Sequence, residues 1–212
     1  MKLPHLIVIA AMLIIGVITF MDVTKPVEHQ LSFHVQGEAA YVTGTTDNKS
    51  HNLIKNFVRE NPDVNTLILQ AMPGTQDMDT NRRVVMDLRA AGLATHVPAD
   101  GRIASGAVDW FIAGNPRTIE CGAMIGVHSW GTKTGERGDK TFYDGQLRTQ
   151  RYFLSRMDVD PDFYEFTRKA AGPDDIHWLS VEEMLRYRLL TKDPGCDPSP
   201  VSYTHLTLPT KA

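Results

Sequence analysis

The sequence is poor in cysteine and has no excess of positive charge. Two cysteines among 212 residues cannot form a disulfide framework, and neither stands at the spacing of a metal-binding motif. We interpret Cys121 as a small core residue and Cys196, in a tail rich in proline and glycine, as incidental. The net charge of −3 gives no electrostatic footprint for nucleic acid. Histidines and carboxylates do not recur at zinc or calcium spacings, so the sequence predicts no metal and no cofactor.

Charge is also missing from residues 6–21, an apolar run that follows Lys2. The run is shorter than the ~20 apolar residues of a comfortable bilayer span, and no Ala-x-Ala site precedes Asp22. We favour an uncleaved signal-anchor over residues 1–21, which would hold the chain in the inner membrane by a single pass and export the rest to the periplasmic side. A cleaved signal peptide is the second interpretation. A buried soluble helix is the least favoured, because the run has no polar face.

The rest of the chain divides into three parts. Residues 22–30 form a polar linker, and residues 31–192 are long and apolar enough for one domain with one core, since 42% of the sequence is hydrophobic. Residues 193–212 begin with a Pro/Gly-rich stretch that cannot pack, so we predict a disordered tail. Its last twelve residues look like translated adaptor sequence and are left out of the functional argument.

Strand-like and helix-like segments alternate along residues 31–192. Short apolar runs predict strands at 31–35, 39–43, 66–71, 93–97, 117–120 and 124–128, and residues 174–179 are predicted as a short strand or a turn. Helical spacing predicts helices from Ser50, over 78–91, 105–113 and 146–157, and from Asp160 and Ser180. The last helix begins with a capping box of Ser180 and Glu183. Strand and helix in short alternation predict an α/β fold of βαβ units with right-handed crossovers.

Two residues suggest nucleophilic chemistry. Ser105 lies between Ala104 and Gly106 at the start of an apolar helix, and His128 ends the last predicted strand. Small neighbours leave room for a substrate carbonyl, and a nearby imidazole can take the hydroxyl proton. The alternatives stay open at this point: Ser105 as an ordinary helix N-cap, and His128 as a strand-end histidine bonded to a carbonyl.

Four segments, in order, resemble the proteolytic subunit of the Clp protease, a family within the crotonase-like fold. They are residues 67–74, 103–106, 121–128 and 178–190. The resemblance covers roughly Phe33 to Leu190 and implies stacked ββα (βαβ) units behind the anchor helix. It also implies a serine peptidase that forms an acyl-enzyme and associates with copies of itself.

The resemblance implies a role for each matching site residue. Ser105 would be the nucleophile and His128 the base. The backbone N–H groups of Gly74 and Gly106 would hold the oxyanion, although Thr75 stands at the second glycine of the family's turn, so that Thr75 is an alternative donor to the favoured Gly74.

The third member of the triad is displaced in this sequence. The family's aspartate falls on Ile176, so Asp175 orients His128 only if the turn shifts by one residue; otherwise Asp174 and Asp175 belong to an ordinary solvated turn. A serine–lysine dyad, used by some exported proteases of this fold, is less favoured. Its candidates Lys133 and Lys140 lie in a polar, glycine-rich segment that predicts a mobile loop, where a lysine keeps its proton.

Together these expectations describe a membrane-anchored, exported serine peptidase acting on peptides or unfolded segments. The cytosolic members of the family receive chains from an ATP-driven partner, which is not expected where ATP is lacking. Two other functions remain. One is a degenerate, peptide-binding relative without turnover, and the other is crotonase-type acyl-thioester chemistry, which needs a coenzyme A cleft and a cytosolic address.

Overall fold

A computed structural model describes residues 30–129 and 140–196 of the chain. The strands are β1 (Ser32–Gln36), β2 (Ala39–Thr43), β3 (Thr66–Met72), β4 (Ala94–Val97), β5 (Arg102–Ala104), β6 (Arg117–Ile119), β7 (Met124–Val127) and β8 (His177–Trp178). The helices are α1 (Ser50–Glu60), α2 (Met78–Ala91), α3 (Gly106–Ala113), α4 (Lys140–Arg156), α5 (Phe163–Ala170) and α6 (Val181–Arg186). Among these helices, none combines the length and the apolar character needed to cross a bilayer. The predicted anchor (1–21), most of the linker, residues 130–139 and the tail from residue 197 lie outside the described ranges.

The predicted alternation of strands and helices is confirmed, with two differences. The structure adds β5, a strand of three residues that is too short to show a hydrophobic period. Helix α4 begins at Lys140, six residues before the predicted start, so Lys140 belongs to a helix and not to a loop. Its first turns carry little apolar periodicity, which is why the pattern misses them.

The strands form one forked sheet around β3. The first half of β3 pairs with β4, which pairs with β6, whereas its last two residues pair with β5, which pairs with β7. All these pairs are parallel, as the βαβ alternation predicts. β1 and β8 close the two ends by antiparallel pairing with β2 and β7.

Helix α3 lies in the centre of the core. Its sequence is apolar on almost every side, and seven of its eight residues are buried. Trp110 and Phe111 are completely inaccessible and pack with strand residues such as Leu69 and Ile103. A helix buried all round fixes the position of its first turn, and therefore of the residue before it.

Arg117 is a buried cation that ties three parts of the chain together. Its guanidinium donates hydrogen bonds to the carbonyls of Ile112, Gly114, Met157, Arg188 and Leu189 at 2.7–3.3 Å. These acceptors satisfy every nitrogen of the side chain, and desolvation lowers its pKa from the usual value. The turn that follows α6, which carries Arg188 and Leu189, is thereby held against the end of α3.

A disulfide joins Cys121 to Cys196, across a sequence separation of 75 residues, with the two Cα atoms 5.5 Å apart. The sequence interpretation was wrong on both residues: Cys121 is exposed at the turn before β7 rather than in the core, and Cys196 is not incidental. The start of the predicted disordered tail, residues 193–196, is thus attached to the domain. Nothing in the spacing of two distant cysteines predicts that folding brings them together.

Candidate active site

Three neighbouring parallel strands end at one edge of the sheet, and each is followed by a predicted site residue. Met72 of β3 lies beside Ile103 of β5, which lies beside Ile125 of β7. Continued past the strand ends, this register brings Gly74, Ser105 and His128 to the same edge. The carboxyl edge of a parallel sheet is where α/β proteins bind their ligands.

Ser105 has a strained backbone, and its hydroxyl has no hydrogen-bond partner in the part of the chain that the structure describes. Its φ of 56° and ψ of −130° belong to a conformation that side-chain-bearing residues rarely adopt, at a cost of about 1–3 kcal/mol. It stands at the N-cap position of α3, yet its side chain makes no capping hydrogen bond. The N-cap alternative is therefore not what the structure shows. The Ser105 hydroxyl therefore has no capping role in α3.

Gly74 and Gly106 allow close contact between the turn at Ser105, after β5, and the turn at Gly74 and Thr75, after β3. Gly74 has a φ of 141°, and a Cβ placed there would lie 3.0 Å from the Cβ of Ser105. A Cβ on Gly106 would lie 2.5 Å from the Cγ2 of Thr75. Any side chain at either position would push the two turns apart, so glycine is required at both.

The directions of the peptide groups indicate which N–H groups face Ser105. The Ser105 carbonyl accepts from Val108 N–H inside α3, so the Gly106 N–H points the opposite way, out of the helix start. The carbonyl of Gly74 accepts from Thr46 N–H at 3.2 Å, so the next N–H, that of Thr75, points away from Thr46 and toward the β5 side. Neither the Thr75 N–H nor the Gly74 N–H has an acceptor among the described residues. The direction of the Gly74 carbonyl therefore favours Thr75 over Gly74 as the N–H group that faces Ser105.

His128 is half-buried and has one defined hydrogen bond. Its Nδ1 lies 2.8 Å from the carbonyl oxygen of Ser129, a contact in which Nδ1 must carry the proton. Ser129 is itself held by a bond from its N–H to the carbonyl of Ala171. With Nδ1 protonated, Nε2 keeps its lone pair, as a general base requires. Within the described residues, Ser105 and His128 share no hydrogen bond; such contacts often tighten only when substrate binds.

Among the described residues, no hydrogen bond or ion pair joins Asp175 to His128. The Asp175 carboxylate is exposed and accepts from the N–H of Ile176 at 2.8 Å. In the antiparallel register Val127 pairs with His177, so Ile176 comes opposite His128. The Ile176 side chain lies on the same face of the sheet as Gly126, because a Cβ added at Gly126 would be 2.6 Å from the Cγ2 of Ile176. His128 shares that face with Gly126, because side chains alternate along a strand.

A buried polar network that the sequence does not predict lies behind the nucleophile turn. Asn81 of α2, completely inaccessible, donates from Nδ2 to the Gly106 carbonyl and to Oδ2 of Asp109, both at 3.0 Å. Its Oδ1 accepts from Trp110 Nε1 at 2.9 Å. Burial raises the pKa of Asp109 to about 7, although the positive charge of Arg82 and the hydrogen bond from Asn81 both favour the ionised form.

Replacing Asp109 by asparagine is expected to remove a pH dependence of stability. The pKa of Asp109 rises on folding from an ordinary 3.8 to about 7, so the contribution of this carboxyl to stability is most favourable at low pH and is lost as pH rises from about 4 through 7. At about 1.4 kcal/mol per pKa unit, reduced by partial exposure of the carboxyl, we expect Asp109→Asn to be more stable than wild type by about 2 kcal/mol at pH 8. At pH 4 the two proteins should unfold alike. Urea unfolding at both pH values measures this; equal stability at pH 8 would contradict it.

Other acidic and imidazole side chains of the domain have structural partners. Asp77 is the N-cap of α2 and accepts from Thr80 N–H, which lowers the pKa of Asp77. His177 pairs with Glu183, and His96 contacts Thr118. The capping box of Ser180 and Glu183 is present as predicted. Lys133 lies outside the described residues, so the lysine alternative stays untested there.

No protein-family model and no curated protein matches this chain. Among solved structures, a serine-to-alanine mutant of the 1510-N membrane-bound stomatin-specific protease is similar, with a TM-score of 0.51 and 11% identity over 74% of this chain and 80% of that one. A lysine-to-alanine mutant of the same protease, in complex with a substrate peptide, has a TM-score of 0.50 and 12% identity over 74% of this chain and 75% of that one. A putative polyketide-biosynthesis enoyl-CoA hydratase from Bacillus subtilis has a TM-score of 0.50 and 11% identity over 76% of this chain and 70% of that one. Similarity at these identities establishes the fold, and the neighbours that share it are enzymes: the chain has the crotonase-like α/β fold in which Clp-type proteases are also built.

Proposed function

We propose that the chain is a serine peptidase that cleaves peptides or unfolded segments through an acyl-enzyme on Ser105. The observation that carries this proposal is the strained Ser105, whose hydroxyl is not used for capping and which lies against Gly74 at the carboxyl edge of the sheet. Strain in a serine at such a turn is typical of nucleophiles, because it exposes the hydroxyl to substrate.

In the proposed reaction, Ser105 Oγ attacks the carbonyl carbon of the peptide while its proton passes to Nε2 of His128. The N–H groups of Gly106 and of Thr75, with Gly74 as the alternative, stabilise the oxyanion; one such donor is worth on the order of 10²–10³ in rate. The C–N bond then breaks, and His128 returns the proton to the departing amine. Water attacks the acyl-enzyme by the same path and restores Ser105.

We further propose an exported location, with residues 6–21 in the inner membrane and the domain on the periplasmic side. The disulfide between Cys121 and Cys196 supports this, because such bonds persist mainly in oxidising compartments. Without ATP there, the substrates are peptides or segments that are already unfolded. Self-association of the domain remains part of the proposal and rests on the resemblance alone.

The test is labelling of the full-length protein with a fluorophosphonate probe, in which the serine oxygen bonds to phosphorus and fluoride leaves. Wild type should be labelled, and peptide mapping should find the adduct on Ser105. Ser105→Ala should show background labelling only. Ser155→Ala is the matched control, because Ser155 is an exposed serine of α4 whose hydroxyl donates to the Arg151 carbonyl, and it should be labelled like wild type.

Labelling of Ser105→Ala at the wild-type level would refute the assignment, provided that both proteins melt at similar temperatures. A second candidate, a peptide-binding relative without turnover, is favoured by one observation: Ile176 occupies the place opposite His128 where an acid would orient the imidazole. A wild-type protein that binds unfolded peptide but is never labelled would decide for it.

A further inference from the structure

We propose that Asn81 is a positioning residue for the nucleophile: it holds the first turn of α3 so that Ser105 keeps its strained conformation. The inference rests on the proposed function of Ser105. It concerns a residue of α2 that does not touch the hydroxyl, and it explains why a polar side chain is buried completely in the core.

Asn81 makes three hydrogen bonds to the first turns of α3. Its amide nitrogen donates to the carbonyl of Gly106 and to the carboxylate of Asp109, and its oxygen accepts from Trp110. The amide thus uses both donors and its acceptor on one short segment of one helix. A carboxylate at position 81 cannot donate, and an apolar side chain would remove the partner of the buried Trp110 Nε1 and the side-chain donor to Gly106 and Asp109.

The Gly106 carbonyl links Asn81 to the reaction. Gly106 directly follows Ser105, and its N–H is one of the two proposed oxyanion donors. A strained residue persists only where its surroundings over-determine it. Here the Ser105 N–H is held by the Gly126 carbonyl at 3.0 Å, the Ser105 carbonyl by Val108, and the following carbonyl by Asn81. Without the bond from Asn81, the turn can relax and move both the hydroxyl and the oxyanion donor.

The experiment separates positioning from stability by exchanging two side chains. Asn81→Asp alone places two carboxylates against each other and should be unstable. The double variant Asn81→Asp with Asp109→Asn restores the hydrogen bond between positions 81 and 109 and the acceptor for Trp110, but presents a carboxylate to the Gly106 carbonyl. Its melting temperature should return toward that of wild type. Its rate constant of acylation by the fluorophosphonate probe should stay about 10- to 100-fold below wild type.

Asp109→Asn alone is the matched control, because Asn81 keeps its bond to Gly106 in that variant; its acylation should be close to that of wild type. The acylation rate of each variant is measured at 10 °C below the melting temperature of that variant. The wild-type rate is measured at that same temperature for comparison. If the double variant does not fold, Asn81→Ser, whose hydroxyl is too short to reach the Gly106 carbonyl, is judged by the same criterion.

Acylation of the double variant, or of its replacement, within about twofold of wild type would overturn the role of Asn81 while leaving the role of Ser105 intact. Absence of labelling in wild type itself would remove the proposed function, and this inference with it. The two failures are therefore distinguishable in one set of measurements.

Discussion

Ile176→Asp is expected to speed acylation of Ser105 by about 10²-fold, because it supplies a carboxylate that His128 lacks among the described residues. The antiparallel pairing of β7 with β8 brings residue 176 opposite residue 128, on the face that also holds Gly126. A carboxylate there can accept from the imidazole Nδ1 and stabilise the cation that forms during proton transfer. The gain is smaller than the ~10⁴-fold loss seen when a native triad aspartate is changed, because the Ser129 carbonyl already accepts from Nδ1.

The controls for this variant are Ile176→Asn and Asp175→Ala. The asparagine variant matches the size of the aspartate without its charge, so it should not speed the reaction. Asp175→Ala should react like wild type, since the Asp175 carboxylate bonds to its own neighbour, Ile176 N–H. Slow acylation by Asp175→Ala would instead assign the third role to Asp175, and an Ile176→Asp variant no faster than Ile176→Asn would argue against His128 as the base.

Cys121→Ser is expected to lower the free energy of unfolding by about 4 kcal/mol. The disulfide closes a loop of 75 residues, and in the chain-entropy account a loop of this length restricts the unfolded state by an amount of that order. Urea unfolding of the two proteins without reductant gives the difference. Both cysteines should resist thiol reagents in wild type.

Reductant provides the internal control for the disulfide. Dithiothreitol should bring wild type down to the stability of Cys121→Ser and should leave that variant unchanged. Two reactive thiols in wild type made in an oxidising compartment would contradict the pairing, and would also remove the support that the disulfide gives to an exported location.

The fold was predictable where the sequence carries a local signal. The continuous apolar run of β3 and the all-round apolar α3 each identify a buried element, and the small residues around Ser105 identify a tight turn. The order of these elements predicts parallel pairing, which brings Ser105 and His128 to one sheet edge. These predictions depend only on residues that are close to one another in the sequence.

The rest depends on contacts between distant residues. Which N–H group turns toward Ser105, that of Gly74 or that of Thr75, depends on Thr46, whose N–H bonds the Gly74 carbonyl. The raised pKa of Asp109 depends on how helix α2 packs against α3. The link from Cys121 to Cys196 depends on where the last segment crosses the domain. Neither the hydrophobic periodicity nor the local propensity of a segment encodes contacts between residues that are far apart in sequence.

The buried guanidinium of Arg117 has a consequence for synthesis on the ribosome. Two of its acceptors, the carbonyls of Arg188 and Leu189, belong to the turn that follows α6. A nascent chain made only as far as α5 lacks these two acceptors, so the guanidinium has to keep water in their place, because a buried donor left unpaired is costly. The interior around Arg117 can thus close only once the turn that follows α6 has emerged, so that folding of this part of the domain is completed after translation of residue 189.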